Sequence, residues 1–533
     1  MGTPPLVESL PLRLARLALL PLAAALVAAA PLYQAPPAQA ERVRATVEFL
    51  ADDLLEGRGT GKRGHELAAL YVASRYRALG LQPAGENGGW YQRVPFRRAV
   101  TEGAPQFALT RGGKTESLKV GEDLSIRPSV TERERRLSAE LVFVGTGLQD
   151  RKLGLDDFAG LDVRGKIVVV VGGAPANLPS DVAAHLRQQK DEMAAAAGAI
   201  GLLEVSGGNP GSGPVTDWVD KSGTAGSSPA GLRLRGTISR AFLERLLAGT
   251  GLDFPTIVSR LRERQPIRGF PLNATLSVDA RSSWTDFTSP AVIGRLPGSD
   301  SRLTAEHVIL MGHLDHLGMR ENAKAGEDAI YNGALDNAAG IATMLEAADR
   351  FVASGQRPKR SLLFIAHTGE EMGLLGASYW AAHPTVAAAS VSAAVNLDMP
   401  VPLYDFTDVT AFGAEHSTVA EAVAQAGRTM GVTVGPDPMP EQGIFVRSDH
   451  YPLVLRGIPS VLLFTGHANG GKAVWDRFFA EGYHQADDDL AQPIKWAALA
   501  RYGELNYRIA RTLADAPRRA EWRQGSYFAP VKR

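Results

Sequence analysis

No cysteine occurs among the 533 residues of this chain. That excludes disulfides, a lipid-modified N-terminal cysteine, thiol catalysis and any thiolate metal site. Net charge is lacking too, since 57 Lys and Arg balance 57 Asp and Glu. The balance gives no basis for binding nucleic acid or for polybasic attachment to a membrane. Two catalytic signatures are absent as well. His65-Glu66 runs on into Leu67, Ala68 and Ala69, so it does not complete H-E-x-x-H, and no G-x-S-x-G occurs. A single-zinc protease of the first type and a serine hydrolase of the second are disfavoured.

An apolar run long enough to span a bilayer is also missing. The stretch from Leu17 to Leu32 falls short of the ~20 residues needed and is broken by Pro21 and Pro31. It follows Arg13 and Arg16 and precedes Ala38-Gln39-Ala40, which reads as a signal peptide over residues 1–40, cut after Ala40. The expected mature protein is periplasmic or secreted, without a stable membrane anchor, and carries 55 basic against 56 acidic residues. Nothing in the composition speaks to oligomeric state.

What is present is globular: 45% hydrophobic and 21% charged residues, with length for two or three domains. Residues 41–90 read as helical, with Leu67, Leu70, Tyr71, Ser74 and Ala78 on one helix face and Gly80 as a cap. From about Arg97 to Thr285 the pattern becomes β-rich, with Lys166 to Val171 as a buried strand and Ile200 to Val205 as a second strand. From Ala291 onward strand-length apolar runs (Val308 to Met311, Leu362 to Ala366, Ala393 to Leu397, Ser460 to Phe464) alternate with helical patterns. A final helix is expected over roughly Ile494 to Leu513. The expected fold is α/β, a mixed and mostly parallel open sheet covered by helices, with an inserted β-rich domain. Expected boundaries are 41–99 and 286–520 for the main domain, 100–285 for the insertion and 521–533 for a tail.

Acids and imidazoles cluster just past those runs. His313 and Asp315 follow the first, Glu370 and Glu371 the second, Asp398 the third, and His484 lies in the loop after the fourth. Asp336 sits in Gly333-Ala334-Leu335-Asp336-Asn337-Ala338-Ala339-Gly340, a loop entering a helix. In open α/β sheets ligands bind at the carboxyl ends of the strands. Adjacent Glu370 and Glu371 after a buried strand repel each other unless cations or protons relieve them, and a two-metal site would supply cations. Taken singly, Asp336 would serve as a helix cap and His313 as a hydrogen-bonded loop residue.

His313-Leu314-Asp315-His316-Leu317-Gly318, the Asp336 loop, Thr368-Gly369-Glu370-Glu371-Met372-Gly373, Asn396-Leu397-Asp398-Met399, Arg447-Ser448-Asp449-His450 and Tyr483-His484-Gln485 together resemble the co-catalytic zinc aminopeptidases of peptidase family M28. Asp156-Asp157-Phe158, Leu161 to Val168 and Ala195 to Ala199 more loosely resemble a protease-associated (PA) domain. The first resemblance implies two Zn²⁺ ions, with Mn²⁺ or Co²⁺ fitting the same donors. His313 and Asp398 would hold one, Glu371 and His484 the other, and Asp336 would bridge them. It implies that Asp315 orients the His313 ring and that Glu370 is the general base, acting on a water whose pKa the ions lower. It also implies a cis peptide bond between Asp336 and Asn337.

The implied activity is removal of N-terminal residues from peptides. A carboxypeptidase or amidohydrolase with the same metals is a second reading. A non-catalytic receptor-like scaffold is a third, opposed by the complete ligand set, which also counts against a glutaminyl-cyclase-like transferase. Substrate-binding residues are not identified, although Asp449 is a candidate for the free amine. Trp475, Phe478 and Phe479 are candidates for either a pocket wall or a docked surface helix. Gly466 to Lys472 nearly spells a phosphate-binding loop, but Ala473 stands where a hydroxyl belongs. His316, His367 and His450 read as supporting or core residues.

Overall fold

The computed structural model describes residues 30–530 except 176, 207–210, 212, 227 and 264. Most of the expected leader lies outside the described residues. The expected cleavage site does not: Ala38, Gln39 and Ala40 belong to the first helix, α1 (Pro37–Leu50), where Gln39 is buried. No helix among the described residues is long and apolar enough to cross a membrane.

One large sheet organises the chain. Its main strands, in chain order, are β1 (Tyr91–Arg111), β2 (Glu134–Phe143), β3 (Ile167–Val170), β4 (Gly201–Val205), β5 (Leu234–Ile238) and β6 (Phe270–Leu296), then β7 (His307–His313), β8 (Ser361–His367), β9 (Val391–Asn396), β10 (Asp408–Phe412), β11 (Thr433–Gly435) and β12 (Ser460–Thr465). Across the sheet they lie in the order β11-β10-β12-β9-β7-β8-β6-β2-β3-β4-β5, a short strand Leu124–Ile126 follows β5 at the edge, and β1 pairs with β6 off this path. At its centre β8, β7, β9 and β12 run parallel. These strands are buried on both faces, which is why they read as unbroken apolar runs.

Alternation decides which helices cover which face. Val308 and Leu310 join one core with Val47 of α1, Tyr76 of α2 (Arg63–Ala78), Met344 of α3 (Ala339–Ala353) and Tyr502 of α4 (Trp496–Asp515). Ile309 and Met311 point the other way, onto Ala377, Trp380 and Leu453. The expected apolar face of α2 is corrected. Leu70 is exposed, and the helix instead buries Gly64, His65, Ala68, Ala69, Val72, Ala73 and Tyr76. A Cβ on Gly64 would strike the Leu55 carbonyl, so the close approach selects small residues and leaves the larger apolar ones outside.

The β-rich region is continuous with the main sheet. β6 pairs through its first half with β2 and through its last residues with β8, while β1 runs antiparallel along most of its length. Residues 100 and 283 face each other on one rung of that ladder, so both expected boundaries of the insertion fall inside long strands. The region has apolar cores of its own, one around Phe143, Phe242 and Leu276 and another around Val168 and Leu202.

Candidate metal centre

The parallel strands bring their carboxyl ends to one edge, and the acids and imidazoles follow from that register. Met311 of β7 sits opposite Asn396 of β9, and His313 ends β7 opposite His367 at the end of β8. Asp398 lies two residues past β9, and Glu370 and Glu371 lie three and four past β8.

Asp336 occupies the middle of the group. Its Oδ1 lies 3.1 Å from His313 Nε2, and its Oδ2 lies 3.4 Å from His484 Nε2. On the first side Asp398 Oδ1 is also 3.1 Å from His313 Nε2; on the second, Glu371 Oε2 is 3.1 Å from His484 Nε2. Each oxygen of one carboxylate thus faces an imidazole flanked by a further carboxylate. Among the described residues His313, Asp336 and Asp398 form one cluster with metal-ligand spacing, and His316, Asp336 and Glu371 form another. All-oxygen-and-nitrogen donors around a shared carboxylate fit two borderline divalent cations such as Zn²⁺.

The loops are pinned to one another. Asn337 Nδ2 donates to the Leu397 carbonyl at 2.9 Å and its Oδ1 accepts from Gly340 and Met399, which ties the Asp336 loop to the Asp398 loop. A Cβ at Gly340 would lie 2.0 Å from Asn337 Oδ1, so this approach requires glycine. Asp488 accepts from the main-chain N–H groups of Leu335 and Asp336 at 2.8 and 3.0 Å. The Asp336–Asn337 bond is cis, as the resemblance implied.

The orienting role expected of the Asp315 side chain is corrected. His313 Nδ1 meets the main-chain carbonyl of Asp315 at 3.0 Å, not its carboxylate. The carboxylate accepts instead from Thr60 Oγ1 at 2.8 Å and, at longer range, from the N–H groups of Glu370 and Glu371. Asp315 therefore aims the glutamate turn with its side chain and the histidine with its backbone. Asp449 is corrected as the amine-binding candidate: it is fully buried and does not line the cleft. Trp475 is a core residue stacked on Phe464, whereas Phe479 lines the cleft with Tyr483. In the near phosphate loop, the carboxylate of Asp408 accepts from Ala468 N–H, a donor a phosphate would need.

Two contributors, Ser448 and Arg58, escaped the sequence reading, and a third, His316, takes the supporting place expected of it. Ser448 Oγ donates to Asp398 Oδ2 at 2.6 Å and receives from Asn396 Nδ2. His316 Nδ1 lies 2.6 Å from Glu371 Oε1. Arg58, 1% exposed, donates to the carbonyls of Leu314 and Gly333, on the His313 and Asp336 loops, and to those of Leu50 and Asn332. Burial lowers its pKa to about 10, against the pull of Asp488, Asp336, Asp315 and Glu371, so it remains charged and offsets the acidic rim. Arg58→Met is expected to weaken zinc binding by ~10–100-fold, read by competition with a chromophoric chelator. Arg58→Lys should recover part of that loss, because it keeps the charge but not the fork of donors.

Without metal ions, protons would have to balance part of this charge. Burial opposes the charge on His484, but hydrogen bonds to Asp336 and Glu371 outweigh it and raise the pKa to about 10. Burial likewise opposes that of His313, yet Asp398, Glu370 and Asp336 hold it well above the usual value. Burial would also raise Asp336, but hydrogen bonds from His313 and His484 hold it far below the carboxylate range. Glu370 is pushed well up, by burial first and then by Glu371 and Asp398, with His313 opposing. His367 and His450 are driven by burial to about 3, so both are neutral.

The raised histidines stabilise the metal-stripped fold below pH 6.5, and that contribution is lost as pH rises toward about 10. The raised acids Glu370 and Asp449 act in the same direction, and the depressed Asp336 and Glu371 lose their contribution only in acid. Stripped protein is therefore expected to melt at a lower temperature at about pH 9.5 than at about pH 6.5. Zinc, which replaces the protons as counter-charge, should remove most of that difference in thermal denaturation curves.

A sheet edge that gathers acids and imidazoles around one shared carboxylate defines a metallohydrolase class of site. Residues 291–510, which contain His313, Asp336, Glu371, Asp398 and His484, match peptidase family M28. A vacuolar membrane protease of Yarrowia lipolytica is 33% identical over 114 residues, 21% of this chain and 10% of that protein. A probable zinc metalloprotease of Pyrenophora tritici-repentis is 43% identical over 67 residues, 13% of this chain and 15% of that protein. The matched stretches span 9% to 28% of such curated relatives. Over 92% of this chain the fold is similar to the solved aminopeptidase from Aneurinibacillus sp. strain AM-1, with 96% of that chain covered, TM-score 0.50 and 22% identity.

Proposed function

We propose that the protein is an exported exopeptidase holding two zinc ions, an aminopeptidase that hydrolyses N-terminal residues from peptides. The observation that carries this reading is the division of Asp336, one oxygen toward His313 and Asp398, the other toward His484 and Glu371. Those five residues would hold the ions. When bound, the ions supply Lewis acidity and lower the pKa of water. Glu370 lines the cleft, and no described hydrogen bond engages its carboxylate. It takes the proton of the attacking water and returns it to the leaving amine. Asp315 holds the N–H groups of both glutamates, which keeps the base and the neighbouring ligand aimed at the same place.

The cleft supports an apolar terminal side chain. Met399, Ile444, Leu462, Phe464 and Phe479 line it together with His313 and Asp398. A carboxypeptidase reading is favoured by one observation: Arg447 also lines the cleft, with Nη2 3.2 Å from the Tyr483 hydroxyl, where a guanidinium would suit a C-terminal carboxylate. A substrate screen separates the two readings. Aminoacyl amides with a free amine should be cleaved and N-blocked peptides spared; cleavage of N-blocked peptides alone would establish the opposite polarity.

The β-rich region over 100–285 is read as a PA-like domain that shares β1 and β6 with the catalytic sheet. Export rests on the leader. A cut after Ala40 would remove the first turn of α1, and N-terminal sequencing of the exported protein would locate the cut.

A further inference from the structure

Between the β-rich region and the turn that follows the two glutamates lies a second cavity, of about 280 Å³. Arg127, Arg135, Arg233 and Arg235 line it, together with Asp191 and Asp217, and Met372, Gly373 and Leu375 form its wall on the peptidase side. The acids around it are already engaged. Glu132 is held by both Nε and Nη2 of Arg233 at 2.8 Å, Asp191 pairs with Arg235, and Glu204 pairs with Arg235 and Lys190. Asp217 accepts from Ser228 Oγ.

Arg135 is the exception. It is 3% exposed, and only its Nη2 has an acceptor, the Arg127 carbonyl; Nε and Nη1 have none among the described residues. With Lys190 included, five cations here meet four carboxylates, Glu132, Asp191, Glu204 and Asp217. A guanidinium stays charged at any physiological pH, and a buried charge without a partner is costly. The missing component is one negative charge with hydrogen-bond acceptors, in a space large enough to hold it.

We propose that this cavity is a binding site for a carboxylate monoanion, held by Arg135. The site adjoins the catalytic turn: Gly373 and Leu374 donate their N–H groups to the Glu370 carbonyl at 2.8 Å, and Gly373 and Leu375 touch the cavity. A bound carboxylate would brace that turn from the side opposite the metal rim. Its source is either a free small acid or the C-terminus of a bound peptide, and the chemistry is the same for both. The binding claim stands without the proposed peptidase activity; the coupling to the catalytic turn rests on it.

The test uses the full chain, stripped of metal and dialysed free of chelator so that the rim offers acetate no ion. Calorimetric titration with acetate at constant ionic strength is expected to saturate, with chloride giving no such signal. Arg135→Met should weaken acetate binding at least tenfold while unfolding cooperatively, and Arg135→Lys should retain part of it. No saturable binding in the native chain, or equal binding in Arg135→Met, would overturn the site. With zinc restored, a KM advantage of free-carboxylate peptides over their amides that vanishes in Arg135→Met marks the peptide as the source. An acetate effect of equal size on both marks a free acid. If neither peptide class is cleaved, the proposed function fails while the titration still decides the site.

Discussion

Glu370→Gln is expected to lower kcat by ~10²–10⁴-fold and leave metal content unchanged, whereas Glu371→Gln is expected to lose metal. The two side chains are neighbours in sequence but not in environment. Glu371 is held on both oxygens, by His316 at 2.6 Å and His484 at 3.1 Å, and sits beside Asp336. Glu370 faces the cleft beside His313, and burial together with Glu371 and Asp398 raises its pKa, which suits a group that must accept a proton and give it up. An amide at 370 cannot carry that proton; an amide at 371 cannot supply the charge an ion needs. Equal metal loss in both variants, measured by metal analysis after dialysis, would exchange or erase these roles.

Asp336→Asn should have the largest effect on metal content, removing both ions where Asp398→Asn or His484→Ala removes mainly one. The reason is geometric. Among the described residues only Asp336 reaches both His313, at 3.1 Å through one oxygen, and His484, at 3.4 Å through the other, so its charge is shared between two clusters. The change is isosteric and the main-chain donors to Asp488 are retained, so folding should survive. Activity falling while about two ions per chain remain bound would remove Asp336 from the bridging position.

The strands of the catalytic edge were legible because a parallel strand buried on both faces has no polar alternation to blur it: Val308 to Met311 and Leu362 to Ala366 fall within β7 and β8. The chemistry could be read from the residues that follow them. Arg58 was not legible, because in Gly57-Arg58-Gly59 it looks like an exposed loop cation; its burial depends on carbonyls up to 275 residues away. The role of Ser448 was not legible either, since its bond to Asp398 crosses 50 residues. The face of α2 was not legible because apolar size points to Leu67 and Leu70, whereas close packing selects Gly64, Ala68 and Ala69. The limits of the β-rich region were placed by composition, which cannot reveal that one strand of 27 residues serves both halves of the sheet.

The central claim is that Asp336 sits between two metal ions. Anomalous diffraction from crystals of the zinc-loaded protein tests it most directly. The account predicts two peaks ~3.5–4 Å apart, one touching His313 and Asp398, the other Glu371 and His484, with Asp336 reaching both. A single peak, or a peak ligated by Glu370, would contradict it.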